Sequence, residues 1–402
     1  MELIFALGLL WRDGFFEDKR RRAVAVVMVS LAFVMRYCVM SYETLDYQDW
    51  IRTWLDSLRR TGAWRGLGQE IWSCNYNVPY LYILAIISKL DIYDLYLVKI
   101  TSIFFDIVLA FFTMRLVGLF QENSSVRLAA YVGALWLPTV FLNGAVWGQC
   151  DVIYASFAVM GVYFALSDRP GWGVAAIAVS ISFKLQGIFL LPAYFAFFIG
   201  KKMKFRHFFL FPVVYVLTIL PAVLAGRNFW ELITLYYNNT STIGEGLNYN
   251  SSSMYALFDF GALDNGPASR IGILMAAFFC AAIYFWLFLR REEITDRTLF
   301  GVCLLFCIGI PFFLPHMHDR YFFVADVLTF ALALAAPRMS LAAALVSFGS
   351  LLGYHAYLKK RFLLPMRWGA AAMGLALILV IVYVFFSFSQ SKKVLTNDID
   401  LV

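Results

Sequence analysis

The sequence predicts an all-α polytopic membrane protein of about twelve transmembrane helices with a long first outer loop, and three observations carry that prediction. Of 402 residues, 62% are hydrophobic and only 15% are charged, where a soluble domain carries roughly 25% charged residues. The mean hydropathy is +0.73. The apolar residues fall in long runs separated by short basic clusters, the pattern of membrane spans joined by cytoplasmic loops. Those clusters account for the net charge of +7, so the charge does not indicate a nucleic-acid-binding face. The cysteines Cys38, Cys74, Cys150, Cys280, Cys303 and Cys307 form no CxxC pair. They read as small packing residues and not as metal ligands or a disulfide framework.

Met1 to Phe16 is apolar but has no basic leader and no small-residue cleavage site, and it reads as a helix lying in the membrane interface. Lys19-Arg-Arg-Arg22 then keeps segment 1–22 in the cytoplasm, ahead of a first span over Ala23 to Met40. The loop that follows, 41–92, faces outward. Within it Asn77 to Leu90 is apolar but shorter than the roughly 20 residues a crossing needs, and it reads as a re-entrant or surface helix. Crossings follow at Tyr93 to Leu119, through Trp136-Leu-Pro138 to Asn143, at Val152 to Leu166 and at Gly171 to Ser182. The chain returns inward by Gly200, and Lys201-Lys-Met-Lys204 marks that side as cytoplasmic. The transmembrane module 23–225 leads to a second outer loop, 226–270, rich in Asn, Ser and Tyr. A C-terminal module, 271–390, and a cytoplasmic tail, 391–402, complete the chain. Lys359-Lys360-Arg361 falls outside in this scheme, against the charge rule, so either the span count is off there or those cations meet anionic headgroups.

Four polar clusters collect on the outer face of this topology: Asp46 with Asp49, Gln149 with Asp151, Lys184 with Gln186, and His316, His318, Asp319 and Arg320. Polar residues at span ends commonly just meet water, but ionisable groups at membrane depth are costly and mark functional sites. Lys184, between two apolar runs, needs an anionic partner, and a lipid phosphate would serve. One histidine and Arg320 suit a phosphate or pyrophosphate contact. His316-x-His318-Asp319 with Asp46 has metal-ligand types, but HxH without a third near ligand is a weak pattern. A divalent metal is therefore the less favoured alternative, and no cofactor is expected.

The run Asp46-Tyr47, Trp54, Gly62, Asn75-Tyr76-Asn77-Val78-Pro79-Tyr80 resembles the first outer loop of membrane glycosyltransferases of the GT-C superfamily. Trp147-Gly-Gln-Cys-Asp151, Phe183-Lys-Leu-Gln186 and Pro315-His-Met-His-Asp-Arg-Tyr321 are similar to the bacterial group related to the second mannosyltransferase of GPI-anchor synthesis. The likeness runs in order from about residue 40 to 330, with Asp319 standing where Glu is expected. It implies an inverting, mannosyltransferase-like enzyme of the plasma membrane with its site facing outward. The donor would be a polyprenyl-phosphate-linked sugar and the acceptor a glycan or glycolipid, with membrane lipids as surroundings. Asp46 would be the catalytic base. Asp49, Tyr76, Gln149, Asp151, Lys184, Gln186, His316, His318, Asp319 and Arg320 would bind substrate. A flippase of lipid-linked oligosaccharides is the alternative; internal inverted repeats would favour it, and none is visible.

Overall fold

The computed structural model describes residues 1–239, 246–258 and 265–399; parts of the expected outer loop 226–270 and the end of the expected tail lie outside them. The chain opens with α1 (Glu2–Arg12) and α2 (Lys19–Cys38). A π-helical turn, Tyr47–Ile51, leads into α3 (Arg52–Thr61), and α4 (Val78–Ile87) follows. Next come α5 (Asp94–Val117), α6 (Ser124–Trp136), α7 (Pro138–Phe141), α8 (Asp151–Leu166) and α9 (Pro170–Phe183). They are followed by α10 (Leu191–Ile199), α11 (Leu210–Leu224) and α12 (Phe229–Asn239). The last helices are α13 (Asn265–Leu289), α14 (Asp296–Phe313), α15 (Phe323–Ala335), α16 (Ser340–Lys359) and α17 (Met366–Ile399). Two short strands, β1 (Asn248–Tyr249) and β2 (Met317–His318), pair in parallel with Asn248 opposite Met317 and Tyr249 opposite His318.

The protein is thus all-α and polytopic. Among the described residues six helices are long and apolar enough to cross a bilayer, and the bent pair Ser124–Trp136 and Pro138–Trp147 makes a seventh. A helix stands at each of the remaining five positions where the sequence predicts a span, but each falls short by length or composition. Asp151–Leu166, Pro170–Phe183, Leu185–Ile199 and Phe323–Ala335 are shorter than a full crossing. α2 is long enough but opens on four consecutive basic residues. Apolar run length in sequence does not register the breaks that prolines and non-helical turns introduce. Val78–Ile87 has ten residues, too few to cross.

The chain forms two compact units, each assembled from separated stretches. The first comprises Met1–Met160, Ala175–Gly187 and Phe209–Ile243, and the second Gly161–Val174, Ile188–Phe208 and Gly244–Val402. In the second, α14 is almost wholly enclosed and packs against α10, α13, α15 and α17. In the first, α5 packs on α6, and α2 lies against α6 and α1. Pro138 bends the α6–α7 pair by 42°, because proline has no N–H and disfavours helical backbone in the residue before it.

A helix end leaves carbonyls without intrahelical partners, and at this bend Arg36 supplies one. Its Nη2 donates to the Leu135 carbonyl at 2.7 Å, while its Nε donates to Asp106 Oδ2 at 2.8 Å. Arg36 and Asp106 are both buried, so α2, α5 and α6 meet at an ion pair screened from water. Removing one partner of such a pair strands a charge and costs about 3–5 kcal/mol, whereas replacing both by apolar residues is often neutral. Arg36→Met should therefore lower the thermal midpoint of the detergent-solubilised protein sharply, and Arg36→Met/Asp106→Leu should recover most of the loss. Equal losses in the single and double variants would show that a stranded charge is not what destabilises the single variant.

Candidate active site

The site in the first unit is assembled from breaks in helices. α3 is amphipathic, burying Trp54, Leu55 and Leu58, and stops at Gly62, whose φ of +85° is one that glycine tolerates. Two bonds close this end, from Gly62 N to the Arg59 carbonyl and from Ala63 N to the Leu58 carbonyl, a Schellman arrangement. Asn77 caps α4 by accepting from Val78 N at 2.8 Å, with Pro79 in the first turn, and its Nδ2 donates to the Tyr215 hydroxyl at 2.9 Å. After α7 the helix widens into a π-helical stretch, Leu142–Trp147, that ends at Gly148 with φ +76°. That left-handed turn sets Trp147 and Gln149 on either side of it and lets α8 start at Asp151.

Asp46 lies half-buried just ahead of the first π-helical turn. Its Oδ2 accepts from Trp147 Nε1 at 2.9 Å and from Gln149 Nε2 at 2.5 Å. A carboxylate can only accept, so the amide nitrogen of Gln149 must face it; the amide oxygen accepts from the Tyr76 hydroxyl at 3.2 Å. The backbone is held as well. Thr44 Oγ1 donates to the Trp147 carbonyl at 2.9 Å and Ser102 Oγ to the Gln149 carbonyl at 2.8 Å. Lys99 Nζ donates to the carbonyls of Val39 and Tyr42, at 3.0 and 2.7 Å, just upstream of the turn that carries Asp46.

A second charged group adjoins through Tyr76. Lys184 stands at the break after α9, with its Nζ 4.9 Å from the centre of the Tyr76 ring. It donates to Asp151 Oδ1, while Asn143 Nδ2 donates to Asp151 Oδ2 at 2.8 Å. Lys184 is therefore not the isolated cation the sequence indicates; its counterion is Asp151, 33 positions upstream. Asp151 is also the first residue of α8, where the helix dipole favours negative charge. Trp54 and Tyr80 flank Tyr76, each with ring centres 5.3 Å away, and complete an aromatic wall.

Of the remaining sequence candidates in this unit, Asp49 is exposed. Among the described residues it pairs with neither Arg52 nor Arg59, the two nearby cations that could neutralise it; Arg59 forks onto Asp94 and reaches Asp56 at 3.5 Å. The Gln186 side-chain oxygen is buried without a hydrogen-bond partner among the described residues. Burial pushes the Cys74 thiol up to about 12, so it is neutral at ordinary pH and no nucleophile. The cysteines form no disulfide among the described residues.

His316, His318, Asp319 and Arg320 form their own cluster in the second unit. His316 takes φ +61°, and its Nδ1 donates to the Gly246 carbonyl at 2.8 Å. His318 stacks on Tyr249 with ring centres 4.6 Å apart, and Arg320 Nε lies 3.9 Å from Asp319 Oδ1. Asp319 is buried against Gly353, where a Cβ would come within 3.1 Å of it. No three His, Cys, Asp or Glu side chains converge as metal ligands among the described residues.

Trp147 stands in a sequence motif that assigns it no role, Asn143 reads in the sequence only as the end of a span, and Lys99 and Ser102 are not among the sequence candidates. Lys99 carried a usable signal, an ionisable residue inside an apolar run. Ser102 and Asn143 carried none.

The sequence profile of glycosyltransferase family 87 matches residues 72–315, more than half of the chain. No curated protein matches the chain in sequence. The matched stretch holds Tyr76, Gln149, Asp151, Lys184 and Gln186; Asp46 and Asp49 precede it, and His316 to Arg320 follow it.

Trp147→Phe keeps an aromatic ring but deletes the N–H that reaches Asp46. A hydrogen bond to a charged group contributes about 1.5–3 kcal/mol, so kcat/KM for sugar transfer should fall roughly ten- to hundredfold while the thermal midpoint stays near that of the parent. Unchanged turnover would show that this bond does not serve the reaction.

Proposed function

The chain belongs to glycosyltransferase family 87, within the GT-C-like class of membrane glycosyltransferases, and from that premise we propose that Asp46 is the general base of an inverting sugar transfer. The observation that carries the proposal is the double hydrogen bond at Asp46 Oδ2 from Trp147 and Gln149. Those two donors aim the carboxylate. The coarse activity, glycosyl transfer, sets the flippase alternative aside.

In the proposed reaction Asp46 takes the proton of an acceptor hydroxyl. The oxygen attacks the anomeric carbon, and the bond from that carbon to the donor phosphate breaks with its electron pair on the phosphate. The configuration inverts because one displacement occurs. Retention would require a second carboxylate free to act as nucleophile, and Asp151 is already engaged by Lys184 and Asn143. Lys184 is the cation of this unit suited to the charge growing on the leaving phosphate. Arg320, in the second unit, carries a permanent charge on a fork of donors that suits a phosphate contact. We assign the donor to the polyprenyl-phosphate-sugar class and the acceptor to glycans or glycolipids. An apolar tail suits a multi-pass protein, and the aromatic wall of Trp54, Tyr76 and Tyr80 suits a sugar face. Mannose is the sugar to try first. The expected site faces outward from the plasma membrane.

Sugar transfer from a polyprenyl-phosphate sugar by purified protein tests the assignment. Asp46→Asn preserves shape and hydrogen bonding but removes the proton acceptor, and it should lower kcat by about 10²–10⁴-fold. Asp49→Asn, at an exposed position, should change kcat by less than about threefold, within what a surface substitution away from the site allows. Collapse of Asp49→Asn with near-normal Asp46→Asn would transfer the role; full activity in both would place the base elsewhere.

A further inference from the structure

The basic stretch Lys359-Lys360-Arg361 plays no part in the transfer chemistry above, and the structure gives it a setting. α16 ends at Lys359, with Lys360 in the left-handed conformation at φ +53°, and α17 starts at Met366. The connection between them holds its shape: His355 Nδ1 donates to the Arg361 carbonyl at 3.1 Å, and Lys360 Nζ sits 4.0 Å from the centre of the Tyr357 ring. Both flanking helices are long and apolar enough to cross a membrane, so this turn lies at the bilayer rim. Its exposed residues alternate between two chemistries. Lys359, Lys360, Arg361 and Arg367 are exposed cations, and none forms an ion pair among the described residues. Phe362, Leu363, Leu364 and Trp368 are exposed apolar or aromatic groups, of the kinds that settle into the headgroup zone.

Beside this turn is an open surface depression of about 490 Å³. Phe362, Pro365 and Arg367 form one wall, and Asn248 and Asn250 of the β1 segment form the other. Asn250 adopts φ +56°, while Asn248 is locked by bonds to Ser251 N and O at 2.8 and 3.0 Å. The depression therefore combines a permanent cation at Arg367, the amide of Asn250 and the apolar side chains of Phe362, Pro365 and Met366. Those are the requirements of a phosphodiester headgroup that carries hydroxyls and a hydrocarbon tail.

We propose that this depression binds the phosphodiester headgroup of an anionic lipid, with Arg367 on the phosphate and Asn250 on the headgroup hydroxyls. The lipid is either a bilayer phospholipid or a phosphate-bearing lipid that takes part in transfer. The binding site itself does not depend on the assignment of Asp46.

Native mass spectrometry of the full chain, titrated with phosphatidylglycerol or phosphatidylcholine, tests it. One phosphatidylglycerol should be retained in preference to phosphatidylcholine. Arg367→Gln should weaken that retention by about tenfold or more, the loss expected for a charge-assisted contact. Lys204→Gln, an exposed cation on another turn, should leave it unchanged. Because Arg367 is exposed, its variant should keep the parent thermal midpoint, and Asn250→Ala offers a second, uncharged lesion of the same wall. Equal retention of the two lipids, or retention indifferent to both Arg367→Gln and Asn250→Ala, would overturn the proposal. The source is read from transfer assays. Phosphatidylglycerol that raises the KM for a lipid substrate, an effect lost in Arg367→Gln, identifies a reaction participant; binding without competition identifies a structural phospholipid.

Discussion

A charge enclosed by apolar helices must be compensated within the protein, and the first unit obeys that constraint three times over. Arg36 meets Asp106, Lys184 meets Asp151, and Lys99 has backbone carbonyls in place of a carboxylate. Each arrangement avoids the several kcal/mol that an unpaired buried ion would cost. Each also fixes the relative position of chain segments distant in sequence. The polar residues of this unit are thus at once its stability problem and its means of holding a site. The Asp46 carboxylate, the base in the proposed reaction, can then sit half-buried among groups already committed to one geometry.

Helix α5 is where these demands meet. Lys99, Ser102 and Asp106 recur at three- and four-residue intervals, so they lie along one helical face. Lys99 holds the turn upstream of Asp46, Ser102 holds the backbone of Gln149, and Asp106 holds Arg36 at the bend between α6 and α7. The flexible-looking first loop and the Trp147–Asp151 motif are therefore referred to one rigid element. Gly148 fits the same scheme: a Cβ there would lie 3.7 Å from Lys99 Cε, in ordinary contact, so its requirement is the left-handed backbone and not space. Arg59 adds a tie from α3 to Asp94 at the start of α5, and that ion pair favours the charged guanidinium.

The fold class was legible because composition and run length decide it: a chain this apolar with basic breaks has few alternatives to helices in a bilayer. The number of full-length crossings was not. Pro170–Phe183 and Leu185–Ile199 stand at two expected crossings on either side of Lys184, but each is shorter than a full crossing, and an apolar run of that length marks a helix without marking a span. The site was legible as a set of polar interruptions, since Asp46, Tyr76, Gln149, Asp151 and Lys184 do converge. Its wiring was not. Trp147 reaches Asp46 across 101 positions and Asn143 reaches Asp151 around a π-helical turn, and no local pattern encodes either contact. Lys184 illustrates the remainder: its need for a counterion was readable from its surroundings, but the identity of the counterion depends on how α8 and α9 fold back.

In the proposed reaction Asp46 is the base and Gln149 serves it by aiming that carboxylate, and a double-mutant cycle on single-turnover sugar transfer tests both directly. Gln149→Leu, Asp46→Asn and the combined variant would be measured at saturating donor and acceptor. If Gln149 acts by aiming the base, the combined variant should be no slower than Asp46→Asn alone, because the group being aimed has lost its function. If the two losses instead multiply, Gln149 contributes independently of Asp46, and the hydrogen bond joining them is not what organises the site.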